Sequence, residues 1–211
     1  MKALSVIIII VFTLQAQYIP FNSHVEYANK MAVVSSSKEA SEIGLQILKQ
    51  GGNAFDATVA VQFAMAVAFP EAGNIGGGGF ALGRLANGES FMLDYREKAP
   101  AKATRDMYLD SLGNAIENLS TEGYKAVGVP GTVDGMWQLH QKYGKLPWKK
   151  LLEPAIELAE KGLILNQYLA KSLNSNQEVL LKYKSSTRLF IKENGFKSGD
   201  IIKQKILAQT L

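Results

Sequence analysis

Phe80–Tyr95 reads FALGRLANGESFMLDY, and its reading decides the fold. Asn87-Gly88 lies between two β-type runs, the strongest short-range signal for a tight hairpin, because a primed turn needs positive φ at its centre. Each run is apolar on both faces. Phe80 and Leu82 oppose Ala81 and Leu85 in the first; Phe91, Leu93 and Tyr95 oppose Met92 in the second. Only Arg84 and Asp94 interrupt. Antiparallel strands with two apolar faces call for a layer above and a layer below, helices on one side and a second sheet on the other. The expected class is α+β.

Upstream, Met31–Ser35 (MAVVS) suits a short buried strand. Ser36 and Glu39 have capping-box spacing, and Ala40, Ile43, Ile47 and Leu48 recur on one helical face. Gly51-Gly52 ends that helix. Asn53 caps a second one, with Asp56 placed to favour its N-terminal dipole. From Ala54 to about Phe69 this helix is apolar almost all round, which predicts burial on most sides.

Downstream, a polar stretch to about Gly123 precedes Val127–Gly131 (VGVPG). A helix is expected over Thr132–Tyr143, with Val133, Met136, Trp137 and His140 on one stripe and both Trp137 and Trp148 in the core. Another runs from about Trp148 to Lys161, and a third begins at Asn166 with Leu165, Leu169 and Leu173 sharing a face. Ser185–Asp200 reads as loop, followed by the start of another amphipathic segment.

The whole chain has 211 residues, 47% of them hydrophobic and 20% charged, enough apolar content for a sizeable core. Cysteine is absent, which excludes disulfides, thiol nucleophiles and thiolate metal sites. The two histidines, His24 and His140, are too far apart for an HExxH helix. A net charge of +4 arises from 23 basic and 19 acidic residues scattered without a basic–aromatic stripe, so nucleic acid is not an expected partner.

Met1–Gln17 (MKALSVIIIIVFTLQAQ) begins with one cation and continues as an apolar run. Ala3–Leu14 makes about 18 Å of helix at about 1.5 Å per residue, against about 30 Å of bilayer core. Residues 1–16 read as a signal peptide cut after Ala16, with an uncleaved anchor as the alternative. Residues 17–30 read as a surface leader and 31–211 as the globular part, exported to the periplasm or secreted. No other segment is apolar enough for a membrane span.

Three features invite a site. Gly76-Gly77-Gly78-Gly79-Phe80-Ala81 satisfies G-x-G-x-x-A with Asp94 downstream, but it follows a helix and opens a hairpin, the reverse of a dinucleotide loop. Tight backbone packing, or amides lining a small-anion pocket, are the remaining readings. Arg96 emerges just beyond the second strand, either in a local ion pair with Asp94 or Glu97 or as a bidentate clamp on a carboxylate. His140, on the apolar stripe of its helix, reads as a half-buried packing residue. No G-x-S-x-G elbow is present.

Taken in order, Gly51–Ala57 (GGNAFDA), Gly73–Phe80 (GNIGGGGF), Asp94–Pro100 (DYREKAP), Val127–Gly131 (VGVPG), Tyr143–Trp148 (YGKLPW) and Pro154–Ala159 (PAIELA) resemble the front of the large subunit of the gamma-glutamyltransferase (glutathione hydrolase) family. The resemblance runs from about Met31 to Leu211. It implies the αββα sandwich of N-terminal-nucleophile hydrolases, present only in part. It also implies a precursor that cleaves itself before a threonine, whose amine and hydroxyl then act as base and nucleophile. That threonine would take the gamma-glutamyl group of glutathione or another gamma-glutamyl compound and pass it to water or an amino acid, without metal or cofactor. The family's R-E-x-A-P arginine, which holds the donor's α-carboxylate, falls on Arg96.

The family's Thr-Thr processing segment has no counterpart among Thr13, Thr58, Thr104, Thr121, Thr132, Thr187 and Thr210. The nucleophile and the small-subunit partner are therefore expected beyond this sequence, and the 211-residue chain alone is expected to be inactive. A partial sequence or truncated product is the expected reason. A glutaryl or cephalosporin acylase is the alternative within the enzyme class, and a non-catalytic exported binding protein the alternative outside it.

Overall fold

Ser37 opens the first helix, α1 (Lys38–Lys49), in a computed structural model that describes residues 27–211. Its hydroxyl accepts from the Ala40 N–H at 3.3 Å and donates to the Glu39 carboxylate at 2.7 Å. The cap is thus one residue later than the expected Ser36. The chain divides at Lys30/Met31, and Met31–Leu211 is one compact unit. The expected signal peptide and most of the expected leader lie outside the described residues.

Met31–Ser35 is not the buried strand that its β-branched composition suggests. It pairs with no strand among the described residues, and Val34 is 91% exposed.

Asn53 begins α2 (Ala54–Ala68) with a complete capping box. Its Oδ1 accepts from the N–H groups of Phe55 and Asp56, and the Asp56 carboxylate accepts the Asn53 N–H at 2.9 Å. Val59, Ala60, Phe63, Ala64 and Val67 are buried along its length, as the all-round apolar pattern requires. Pro70 follows directly and disfavours helical backbone at Phe69.

β1 (Phe80–Arg84) and β2 (Ser90–Asp94) pair antiparallel, with Phe80 opposite Asp94 and Leu82 opposite Met92. Gly88, at φ +90°, supplies the positive-φ position of the connecting turn. One face of the ribbon, with Phe91, Leu93 and Tyr95, packs on the helical core. The opposite face carries Phe80, Leu82 and Met92, which are 55%, 83% and 65% exposed. The expectation of cover on both sides is therefore met on one side only among the described residues.

After a short 3-10 turn at Tyr124–Ala126 come α3 (Thr132–Tyr143) and α4 (Trp148–Lys161). The buried side of α3 is Thr132, Gly135, Met136 and Leu139, so the stripe is rotated from the expected one. Val133 and Trp137 point outward, and Trp137 is not a core residue. Trp148 is half-buried against the main core, its ring edge-on to Phe63 at 5.5 Å.

The remainder builds a second apolar cluster. β3 (Leu163–Ile164) leads to α5 (Gln167–Ser175), where Asn166 caps and Leu165, Leu169 and Leu173 are buried as expected. α6 (Gln177–Leu181) and α7 (Lys184–Phe190) follow, so part of the expected Ser185–Asp200 loop is helical. The Thr187 hydroxyl donates back to the carbonyls of Leu180 and Tyr183, while Leu189 and Phe190 pack on the cluster. β4 (Ile201–Ile202) pairs antiparallel with β3, and α8 (Lys205–Thr210) closes the described chain. Before α8, buried Gln204 donates from Nε2 to the Val67 carbonyl at 2.8 Å, satisfying an orphan acceptor near the end of α2. No helix among the described residues is long and apolar enough to cross a membrane.

Candidate functional site

Beyond β2 the ladder gains one more pair: the Tyr95 N–H donates to Gly79 O at 3.0 Å, and the Gly79 N–H to Tyr95 O at 3.4 Å. The chain then bends, with the Arg96 N–H held by Asp94 Oδ1 at 2.9 Å. Two residues on, Lys98 and Val129 exchange a pair of main-chain hydrogen bonds of 3.1 and 2.8 Å. Gly77 O accepts from the N–H groups of both Gly131 and Thr132, at 2.9 and 3.0 Å. The glycine loop, the strand exit and the entry to α3 are thereby laced into one backbone junction. These are three of the stretches singled out in the sequence, and only the tertiary fold brings them together.

Within the glycine run, the junction makes Gly78 a backbone packing site. A Cβ on Gly78 would lie 2.5 Å from Tyr95 O and 2.8 Å from both Arg96 Cα and Glu97 N. Gly76–Gly79 leads into β1 and not into a helix, so the dinucleotide geometry is absent.

Arg96 stands on the exposed side of this junction, with its side chain 61% accessible. Nε donates to Glu97 Oε2 at 3.1 Å, and Cζ lies 5.7 Å from the centre of the Phe80 ring. Of the two anticipated ion-pair partners the side chain takes Glu97, while Asp94 holds the main chain. Glu97 is the only carboxylate within ion-pair distance of this guanidinium among the described residues, and the two Nη groups carry no hydrogen bond there. Glu97 is held below the usual carboxylate range, first by its own main-chain N–H and then by Arg96. Tyr95 is pushed up by burial.

His140 is half-buried. Its Nε2 lies 2.8 Å from Leu146 O, and its ring sits beside Trp137 and Trp148 at 5.9 and 5.3 Å. Its Nδ1 lies 3.5 Å from Gln141 Nε2, so both ring nitrogens have partners in what is a packing environment. Among the described residues no group of three or more His, Asp or Glu gathers in a metal-binding arrangement.

Asp56 is a residue whose reach the sequence reading missed. Beyond capping α2, its fully buried carboxylate accepts the N–H groups of Lys145 and Leu146. The Asn53 amide adds a 2.6 Å bond to Tyr143 O. The one available signal was that the GGNAFDA and YGKLPW stretches both stood out, with nothing in either to link them.

The family model described as Gamma-glutamyltranspeptidase matches residues 40–211. The chain is 48% identical over 181 residues to the glutathione hydrolase proenzyme of Pseudomonas sp. (strain A14), covering 85% of this chain and 32% of that protein. It is 46% identical over 190 residues to the glutathione hydrolase proenzyme of Escherichia coli (strain K12), covering 89% and 33%. The crystal structure of Helicobacter pylori gamma-glutamyltranspeptidase superposes with a TM-score of 0.83 at 49% identity, over 88% of this chain and 54% of that one. The chain spans about a third of the length of the curated relatives it matches. Its helices and the β1–β2 ribbon are part of the α+β fold of these N-terminal-nucleophile-type hydrolases. On the family match and on the shared fold, the chain belongs to the gamma-glutamyltranspeptidase family.

Proposed function

We propose that this chain supplies the donor-binding arginine of an enzyme that transfers the gamma-glutamyl group of glutathione to water or to an amino acid. The observation that carries the reading is the state of Arg96. Its Nε is engaged by Glu97, which fixes the plane of the fork, and its Nη groups are turned to no described partner. A planar fork with open donors suits a carboxylate better than a flexible ammonium would.

In this reading the α-carboxylate of the donor docks on Arg96, which presents the γ-carbonyl to a threonine hydroxyl carried on the rest of the family's length. The hydroxyl attacks the carbonyl carbon, and its proton passes through the threonine's own amine to the departing amine of the donor. The amide bond breaks as the ester forms. Water or an acceptor amine then cleaves the ester. The reading places the nucleophile on a small subunit with which this chain acts. Residues 1–16 direct export to the periplasm or beyond.

The test is a full-length chimera in which residues 40–211 replace the matching part of the Escherichia coli relative. Loss of a charge-assisted bond of about 1.5–3 kcal/mol raises KM about ten- to a hundredfold. Arg96→Lys and Arg96→Ala are expected to do so for a γ-glutamyl donor, with little change in melting temperature because the side chain is exposed. An unchanged KM with a lowered melting temperature would overturn the reading in favour of a local ion pair. A preference for glutaryl amides over glutathione in the same chimera would assign it to the acylases instead.

A further inference from the structure

We infer that Gly78 and Gly131 are positioning residues for Arg96, acting as a backbone vise on the main chain that carries its side chain. The inference rests on the role proposed for Arg96 and deepens it.

A long, exposed side chain is a poor clamp unless its base is fixed. Among the described residues the Arg96 side chain is steadied by the Glu97 pair and by its place over the Phe80 ring. What is fixed is its backbone. Gly78 lies so close that a Cβ there would stand 2.8 Å from Arg96 Cα and 2.5 Å from Tyr95 O. A Cβ on Gly131 would stand 3.0 Å from Arg96 O and would likewise drive into the carbonyl of Tyr95. Neither glycine is among those with positive φ, so glycine is required here by proximity and not by a left-handed backbone.

The jaws are tied to each other as well as to Arg96. The Gly131 and Thr132 N–H groups share Gly77 O, and the Lys98–Val129 pair closes the junction just beyond. A methyl group in either jaw therefore cannot be absorbed by a side-chain rotation. The Tyr95–Glu97 main chain must move, and the guanidinium moves with it. Displacing a substrate-holding group by about 1 Å can cost about a hundredfold.

The experiment compares two donors in the full-length chimera: a γ-glutamyl amide, and a 4-aminobutanoyl amide that keeps the amine and lacks the α-carboxylate. The readout is the ratio of their kcat/KM values. Arg96→Ala is expected to collapse the ratio. Gly78→Ala is expected to lower it at least about tenfold through KM, and Gly78→Ala combined with Arg96→Ala to fall no further than Arg96→Ala alone.

Gly44→Ala in α1, whose Cβ would press on Val61 of α2 and on Val33, is the control: it is expected to lower the melting temperature and leave the ratio alone. Should Gly78→Ala fail to fold, Gly128→Ala takes its place. Its Cβ would lie 3.0 Å from Glu97 Cβ, and a smaller fall in the same ratio is expected. If the glycine variants weaken both donors equally while Arg96→Ala collapses the ratio, the vise is refuted and the role of Arg96 stands. If Arg96→Ala leaves the ratio intact, that role fails and the vise with it.

Discussion

The main-chain N–H of Lys145 donates to the carboxylate of Asp56, 3.0 Å from Oδ1 and 3.2 Å from Oδ2, across 89 positions of sequence. This bond, with its neighbour from Leu146, pins the start of α2 to the connection between α3 and α4. A buried carboxylate is tolerated here because three main-chain N–H groups, those of Asn53, Lys145 and Leu146, converge on it.

Removing that acceptor leaves the three donors without it. Asp56→Ala is expected to cost about 3 kcal/mol, and Asp56→Asn about half as much because one acceptor oxygen survives. Amide exchange at Lys145 and Leu146 should accelerate strongly in Asp56→Ala. Protection retained at both amides would show that the carboxylate does not hold this junction.

A second junction is aromatic. Phe91 stacks on Tyr143 with ring centres 4.5 Å apart, and Tyr143 stacks on Phe55 at 4.8 Å, linking β2, α3 and α2. Phe91→Ala is expected to destabilise the protein by about 2–3 kcal/mol, and Phe91→Leu by less than about 1.5 kcal/mol. A double-mutant cycle with Tyr143→Ala should return a coupling of about 1 kcal/mol. Strict additivity would mean that the stack adds nothing beyond buried area.

Acid should act on the Arg96–Glu97 pair in a defined direction. Glu97 is depressed in the folded protein relative to its ordinary value of 4.5, so its contribution is fully present above that value. It is lost as pH falls through the lower folded value. Carboxyl NMR is expected to place the Glu97 midpoint below 4.5, and Arg96→Ala to raise it. A midpoint unmoved by Arg96→Ala would show that the guanidinium does not contribute.

The outer face of the ribbon sets the solution behaviour of the isolated chain. Phe80, Leu82 and Met92 form an exposed apolar row on a sheet that has two strands and open edges among the described residues. Residues 31–211 produced alone are expected to self-associate, and Leu82→Lys with Met92→Lys to reduce that association. Light scattering after gel filtration decides, and a monodisperse wild-type monomer would overturn the expectation.

The parts of this molecule legible in the sequence are those governed by neighbours along the chain. The Asn53 cap, α2 up to Pro70, the Asn87-Gly88 hairpin and the bounds of α3 and α4 all follow from spacing over a few residues. Where local signals were weak or duplicated, the reading slipped. Ser36 and Ser37 compete for one cap, and the Ser- and Thr-rich α7 lacks a helical stripe of its own. On α3, Val133 and Trp137 satisfy the same periodicity as the true buried face. Hydrophobic spacing identifies a stripe but not the direction from which it is covered.

For the candidate site, the sequence by itself determined the residue types: a guanidinium just past a strand, a run of glycines, and an acid at a helix start. Together with three other short stretches in order, the stretches that carry them were enough to name the family. Tertiary structure alone decided that Glu97 and not Asp94 takes the Arg96 side chain, and that Gly78 within the glycine run serves to let backbones meet. It also decided that Asp56 reaches the α3–α4 connection. The reason is physical. Such relationships are fixed by distances between segments that are remote along the chain, and close backbone approach leaves no mark in sequence beyond the absence of a side chain.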